Sequence, residues 1–107
     1  MTNFISTGSI YWISDEEIQI LEKNATNGDK NSAFKLYQYH MFVSLDQDLE
    51  FKWLEIAAKN GHPIAQSNLA DLFFTQGNKE KAIFWAKKAY RNGAKLPDEL
   101  KILININ

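Results

Sequence analysis

Apolar side chains recur along this chain at the three-to-four-residue spacing of amphipathic helices, and three Asn-Gly pairs punctuate that pattern: Asn27-Gly28, Asn60-Gly61 and Asn92-Gly93. An Asn-Gly pair can also turn a β-hairpin, but none of these is flanked by alternating apolar residues. Each follows a helix-periodic run ending in small and basic residues, where glycine takes the left-handed conformation that stops a helix. The pattern predicts helices over 14–27, 30–43, 47–60, 63–76, 79–92 and 97–105. Ser14-Asp15-Glu16-Glu17 reads as a capping box, the serine accepting from the third helical amide while a glutamate reaches back. Pro63 falls in a first turn, where its missing amide hydrogen costs nothing. Pro97, with Asp98 and Glu99 behind it, marks the last start, since acids suit the positive end of a helix.

The glycines of the three pairs lie 33 and 32 residues apart (28 to 61, 61 to 93), and what precedes them repeats. Eight residues before each stand Ile20, Trp53 and Trp85; ten before stand Ile18, Phe51 and Ile83; three or four before stand Ala25, Ala57, Ala58 and Ala89. A wide residue and a small one about a turn apart on one face act as a knob and a close-approach position. A second helix type follows: Ser32, Leu36, Tyr37, Tyr39 and His40 align at a shift of 33 with Ala65, Leu69, Ala70, Leu72 and Phe73. The order is one helix, two helix pairs and a last helix. Helices of ~14 residues are about 21 Å long; joined by short connections, they stack as hairpins, each burying its apolar face on the next. The predicted fold is all-α, a short α-α solenoid of about six helices: two full pairs with flanking half-repeats. It occupies 14–107, with 1–13 as an N-terminal cap or arm.

The pattern resembles the Sel-one-like repeat, a relative of the tetratricopeptide repeat. The residues that carry it are Trp53-Leu54-Glu55-Ile56-Ala57-Ala58-Lys59-Asn60-Gly61-His62, then Ala65-Gln66 with Leu69, Leu72 and Phe73, then Ala82, Trp85, Lys88, Ala89 and Gly93. The match is specific over 46–93 and does not cover Met1 to Ile13. The family's usual first-helix glycine is Ala70 in one repeat and Tyr37 in the other, and Glu50 replaces the small residue that Ala82 represents. Those two bulky residues imply a first pair that packs less ideally or meets something outside the chain. The resemblance implies scaffolding and protein binding without chemistry. Among small bacterial members it suggests an immunity protein that neutralises a toxin; a scaffold or adaptor is the alternative.

With 107 residues the chain fits one domain, and 45% apolar with 13% aromatic residues supplies enough burial to offset chain entropy. It has no cysteine, which excludes disulfides and thiolate metal sites. Met1 to Ile13 lacks the basic start and apolar run of a signal peptide, and no run approaches a membrane span of ~18 apolar residues, so the expected location is cytoplasmic. A net charge of −1 argues against a nucleic-acid binder that works by bulk electrostatics. The charge is uneven: residues 1–58 carry nine acids and four bases (−5), and 59–107 carry four acids and eight bases (+4).

No catalytic constellation emerges. His40 and His62 fall on different elements without ligand spacing; His40 aligns with Phe73 and reads as a core histidine, His62 as a structural one. The basic run Lys79, Lys81, Lys87, Lys88, Arg91 and Lys95 reads as a solvated helix face. Neither cofactor nor metal is expected. Trp53 and Trp85 fit the repeat core, whereas Phe34, Phe42 and Phe74 fall outside it, on the first helices of the pairs, which line the inner surface of a solenoid. They either anchor a partner or pack the uncapped ends. Phe34, Gln38, Phe42, Asp71 and Phe74 are the candidate partner-binding residues, for one protein partner such as a toxin domain, with no nucleic acid or membrane. The protein is expected to be a monomer or dimer. Tyr11 and Trp12 form either an N-terminal cap or a partner-gripping arm.

Overall fold

A computed structural model describes residues 10–106; the earlier part of the expected N-terminal cap or arm, and Asn107, lie outside the described residues. Those residues form six α-helices: α1 (Asp15–Thr26), α2 (Lys30–Tyr39), α3 (Gln47–Lys59), α4 (Pro63–Thr75), α5 (Lys79–Arg91) and α6 (Asp98–Leu103). A π-helical turn, His40–Ser44, extends α2, and no strand occurs among the described residues. None of their helices is long and apolar enough to cross a membrane.

The helices begin and end for local reasons. Ser14, Asp46 and Asn78 accept with their side chains from the third amide of α1, α3 and α5, and Asp29 from the second amide of α2. Such a cap contributes about 1 kcal/mol. The expected capping box is only half formed: Ser14 Oγ accepts from the Glu17 amide at 3.2 Å, but the Glu17 carboxylate meets Lys35 Nζ on α2 at 3.3 Å. At the other ends, Gly28, Gly61, Gly77 and Gly93 all take positive φ, between 81° and 103°. Each is embedded in paired reverse bonds, as where the Gly61 amide donates to Ala58 O and the His62 amide to Ala57 O, which satisfy orphan helix carbonyls.

The segment after α2 departs from the predicted helix over 30–43. It has no glycine to close it; the coil widens at His40, whose Nδ1 lies 2.7 Å from Ser44 Oγ, and stops at Leu45, which adopts φ 56°. A branched residue thus fills the left-handed position that glycine fills elsewhere. The final helix is shorter than predicted because Asn105, at φ 60°, turns the chain just past Leu103.

Each helix packs on its chain neighbours, most extensively α4 with α5 and α2 with α3. Ala25, Ala57, Ala58 and Ala89 are fully buried, so backbones approach closely beside the large side chains. Positions one 33-residue shift apart are buried alike: Ser32 with Ala65, Leu36 with Leu69, Tyr37 with Ala70, His40 with Phe73. Trp53 and Trp85 are 2% and 8% exposed, but Ile20, at the equivalent place, is 59% exposed. The knob role assigned to Ile20 is therefore corrected: it is largely exposed, and among the described residues α1 packs mainly on α2. Tyr37 packs within the core. Its ring is buried and its hydroxyl accepts from Asn68 Nδ2 at 3.3 Å, tying α2 to α4.

Candidate functional site

The N-terminal segment lies across α2 and leaves a cleft beside it. Ile13 is buried and holds the segment down, while the Tyr11 ring stacks on Phe42 with centroids 4.5 Å apart and planes 23° from parallel. Ile10, Tyr11 and Trp12 form one wall of a cavity of about 420 Å³; Asn31, Phe34, Lys35 and Gln38 of α2 form the other, and His62 joins them. Trp12 stays 64% exposed at the rim. Tyr11 and Ile13 thus pack on the fold as a cap would, while Trp12 is exposed.

His62 shapes the cleft more than its sequence reading as a structural residue foretold. It caps α4, its Nδ1 accepting from the Ala65 amide at 3.2 Å, and its ring stacks on Phe34 with centroids 4.0 Å apart and planes 14° from parallel. A ring nitrogen can accept only when unprotonated, so the capping imidazole is neutral with its proton on Nε2. Burial lowers the His62 pKa below its ordinary 6.5, and the Lys30 charge lowers it further. Phe34 is half-buried and tilted against Tyr37, which fixes the cleft wall from behind. Lys35 carries its ion pair with Glu17 along the rim.

The five candidate residues do not converge. Phe34 and Gln38 line the cleft, and Phe42 supports its far wall through Tyr11. Phe74 is half-buried, packs against the core cluster and lines neither the cleft nor the cavity around Asp71. Asp71 is exposed and lies on another surface, in a cavity of about 310 Å³ with Tyr37, Glu50, Leu54, Asn68, Leu72 and Thr75. Ile10, Tyr11, Trp12, Asn31, Lys35 and His62 are the cleft residues missing from the five, and of these Trp12 and His62 shape it most. The adjacency of Tyr11 and Trp12 was the available signal for the first; for the second, no local signal placed it under Phe34.

The basic run is partly used within the molecule. Lys81 Nζ stands 5.2 Å over the Phe73 ring, and Lys88 Nζ lies 5.1 Å from the Phe84 centroid and 5.6 Å from that of Trp85. Lys59, Lys88 and Arg91 also border a cavity of about 390 Å³ between two helix-ending loops. Those loops are tied by buried Gln66, which donates to Ala58 O at 3.0 Å and accepts from Asn92 Nδ2 at 2.9 Å. No group of three His, Cys, Asp or Glu side chains among the described residues is arranged to hold a metal ion.

The chain is 33% identical over 95 residues to the uncharacterized protein YibG of Escherichia coli (strain K12), an alignment covering 82% of this chain and 62% of that protein. It therefore spans less than two thirds of the relative's length. No protein-family model matches the chain, and no solved structure matches it.

Proposed function

We propose that this chain is a short Sel-one-like solenoid that binds one protein partner and performs no chemistry, in its narrowest form an immunity protein that neutralises a bacterial toxin domain in the cytoplasm. What supports the repeat is the matched burial of positions 33 residues apart, together with the closer packing of α2 on α3 and α4 on α5. The observation that carries the binding reading is the cleft under Trp12. It presents an exposed indole beside the Phe34–His62 stack, with Asn31, Lys35 and Gln38 as polar rim. Interfaces draw most of their energy from a few such aromatic anchors surrounded by polar residues. Two features limit the ordering cost of binding: Tyr11 and Ile13 already fix the arm, and His62 already fixes the wall.

The test is protection. Cells expressing a toxin encoded beside this chain's gene should survive when this chain is co-expressed and lose protection with Trp12→Ala plus Phe34→Ala. Full protection by that folded double variant would displace the binding face from the cleft. Failure of the intact chain to protect would remove the immunity reading.

A further inference from the structure

On a different surface from the aromatic cleft, α3 and α4 enclose a second groove. It has two lobes of about 330 and 310 Å³ that adjoin at Glu50, Leu54 and Leu72, which line both. The first lobe is completed by Gln47, Phe51 and Gln76, and Phe51 is partly exposed there. It offers an aromatic and aliphatic floor. The second lobe is completed by Tyr37, Asn68, Asp71 and Thr75.

The hydrogen bonds of the second lobe leave acceptors free. Asn68 spends an amide hydrogen on Tyr37 Oη, which leaves its carbonyl oxygen available. Thr75 donates its hydroxyl to Asp71 O at 2.9 Å and retains lone pairs. Glu50 and Asp71 add two carboxylates, neither in a salt bridge among the described residues. A lobe rich in acceptors beside an apolar floor is complementary to a guanidinium, which carries five donors, no acceptor and a fixed positive charge.

We infer that the α3–α4 groove binds a protein segment in which an arginine neighbours an aliphatic or aromatic side chain, the arginine entering between Glu50 and Asp71 and the apolar residue covering Phe51. The site is independent of the Trp12 cleft, so either can fail alone.

The probe is an acetylated and amidated peptide with one arginine between two leucines, titrated into the ¹⁵N-labelled chain and followed by amide chemical shifts. Saturable shifts at Glu50, Leu54, Asn68, Asp71 and Leu72 are expected. They should weaken at least about tenfold in Asp71→Asn and in Glu50→Gln plus Asp71→Asn, weaken with salt, and persist in Trp12→Ala. Asp71 is exposed, so its single substitution keeps the fold even where the double variant fails. Three results would each overturn the inference: no saturable shift in the groove, equal shifts from the same peptide with glutamate for arginine, or shifts spread over Glu16, Glu17 and Asp98 as general charge attraction.

Discussion

Truncating Trp53 to alanine tests the packing most severely. The side chain is 2% exposed and sits among Leu54, Ala57 and Ala58 of its own helix within the main apolar cluster. A tryptophan buries roughly 150–250 Å²; at about 25 cal/mol per Å², less the part alanine retains, this gives roughly 3–5 kcal/mol. Measured tryptophan-to-alanine losses in cores fall in the same range, about 3–5 kcal/mol. One feature lowers the figure: Trp53 Nε1 is buried without a hydrogen-bond partner, so removing it also removes a desolvation cost. The expected loss is therefore about 3 kcal/mol, with Trp53→Phe costing much less. Trp85→Ala should cost about as much, and Ile20→Ala, at the exposed equivalent position, under about 1 kcal/mol. Urea unfolding followed by far-ultraviolet circular dichroism reads all four without relying on the removed fluorophores. Losses below about 1 kcal/mol in both tryptophan variants, or an Ile20→Ala loss equal to theirs, would refute the reasoning.

Backbone and protonation give further expectations. Leu45→Gly should stabilise the protein by up to about 1 kcal/mol, because Leu45 is exposed and holds φ 56°; a loss in urea unfolding would contradict this. Gly61→Ala should do the reverse, costing about 1 kcal/mol through φ alone, since a Cβ there meets nothing within 4 Å. Burial lowers the pKa of both His62 and His40, against opposing pulls from Asp46 and Glu22 on the latter. The unfolded chain therefore binds protons first as pH falls, so stability is full above 6.5 and declines below it through the lowered folded values. His62→Asn, which keeps a capping side chain but cannot titrate, should flatten part of that slope in unfolding curves from pH 7.5 to 5.

The fold was legible to the extent that it rests on punctuation. Gly28, Gly61 and Gly93 stop helices for a local reason, and Trp53, Trp85 and the alanines recur at one spacing, so helix order and core followed from the sequence. The exposure of Ile20 was not legible, because it depends on which neighbours pack there: it occupies the knob position of the repeat yet is largely exposed. The π-turn escaped for a similar reason, as His40 and Ser44 differ little from ordinary helix residues until paired. The candidate site was half legible. Phe34, Gln38 and Phe42 share one helix face, which periodicity reveals, whereas the return of Tyr11 and Trp12 over that face and the approach of His62 beneath Phe34 are long-range contacts. Asp71 and Phe74 sit three residues apart on α4, yet one borders a groove and the other packs against the core.

Calorimetric titration of a partner captured on the intact chain, into that chain and into folded Trp12→Ala, decides whether the cleft is the binding face. The account predicts one partner per chain and a loss of at least about 2 kcal/mol on truncation, roughly a thirtyfold weaker complex, as for a central aromatic anchor. Unchanged affinity in the variant, or association without a defined stoichiometry, would contradict it.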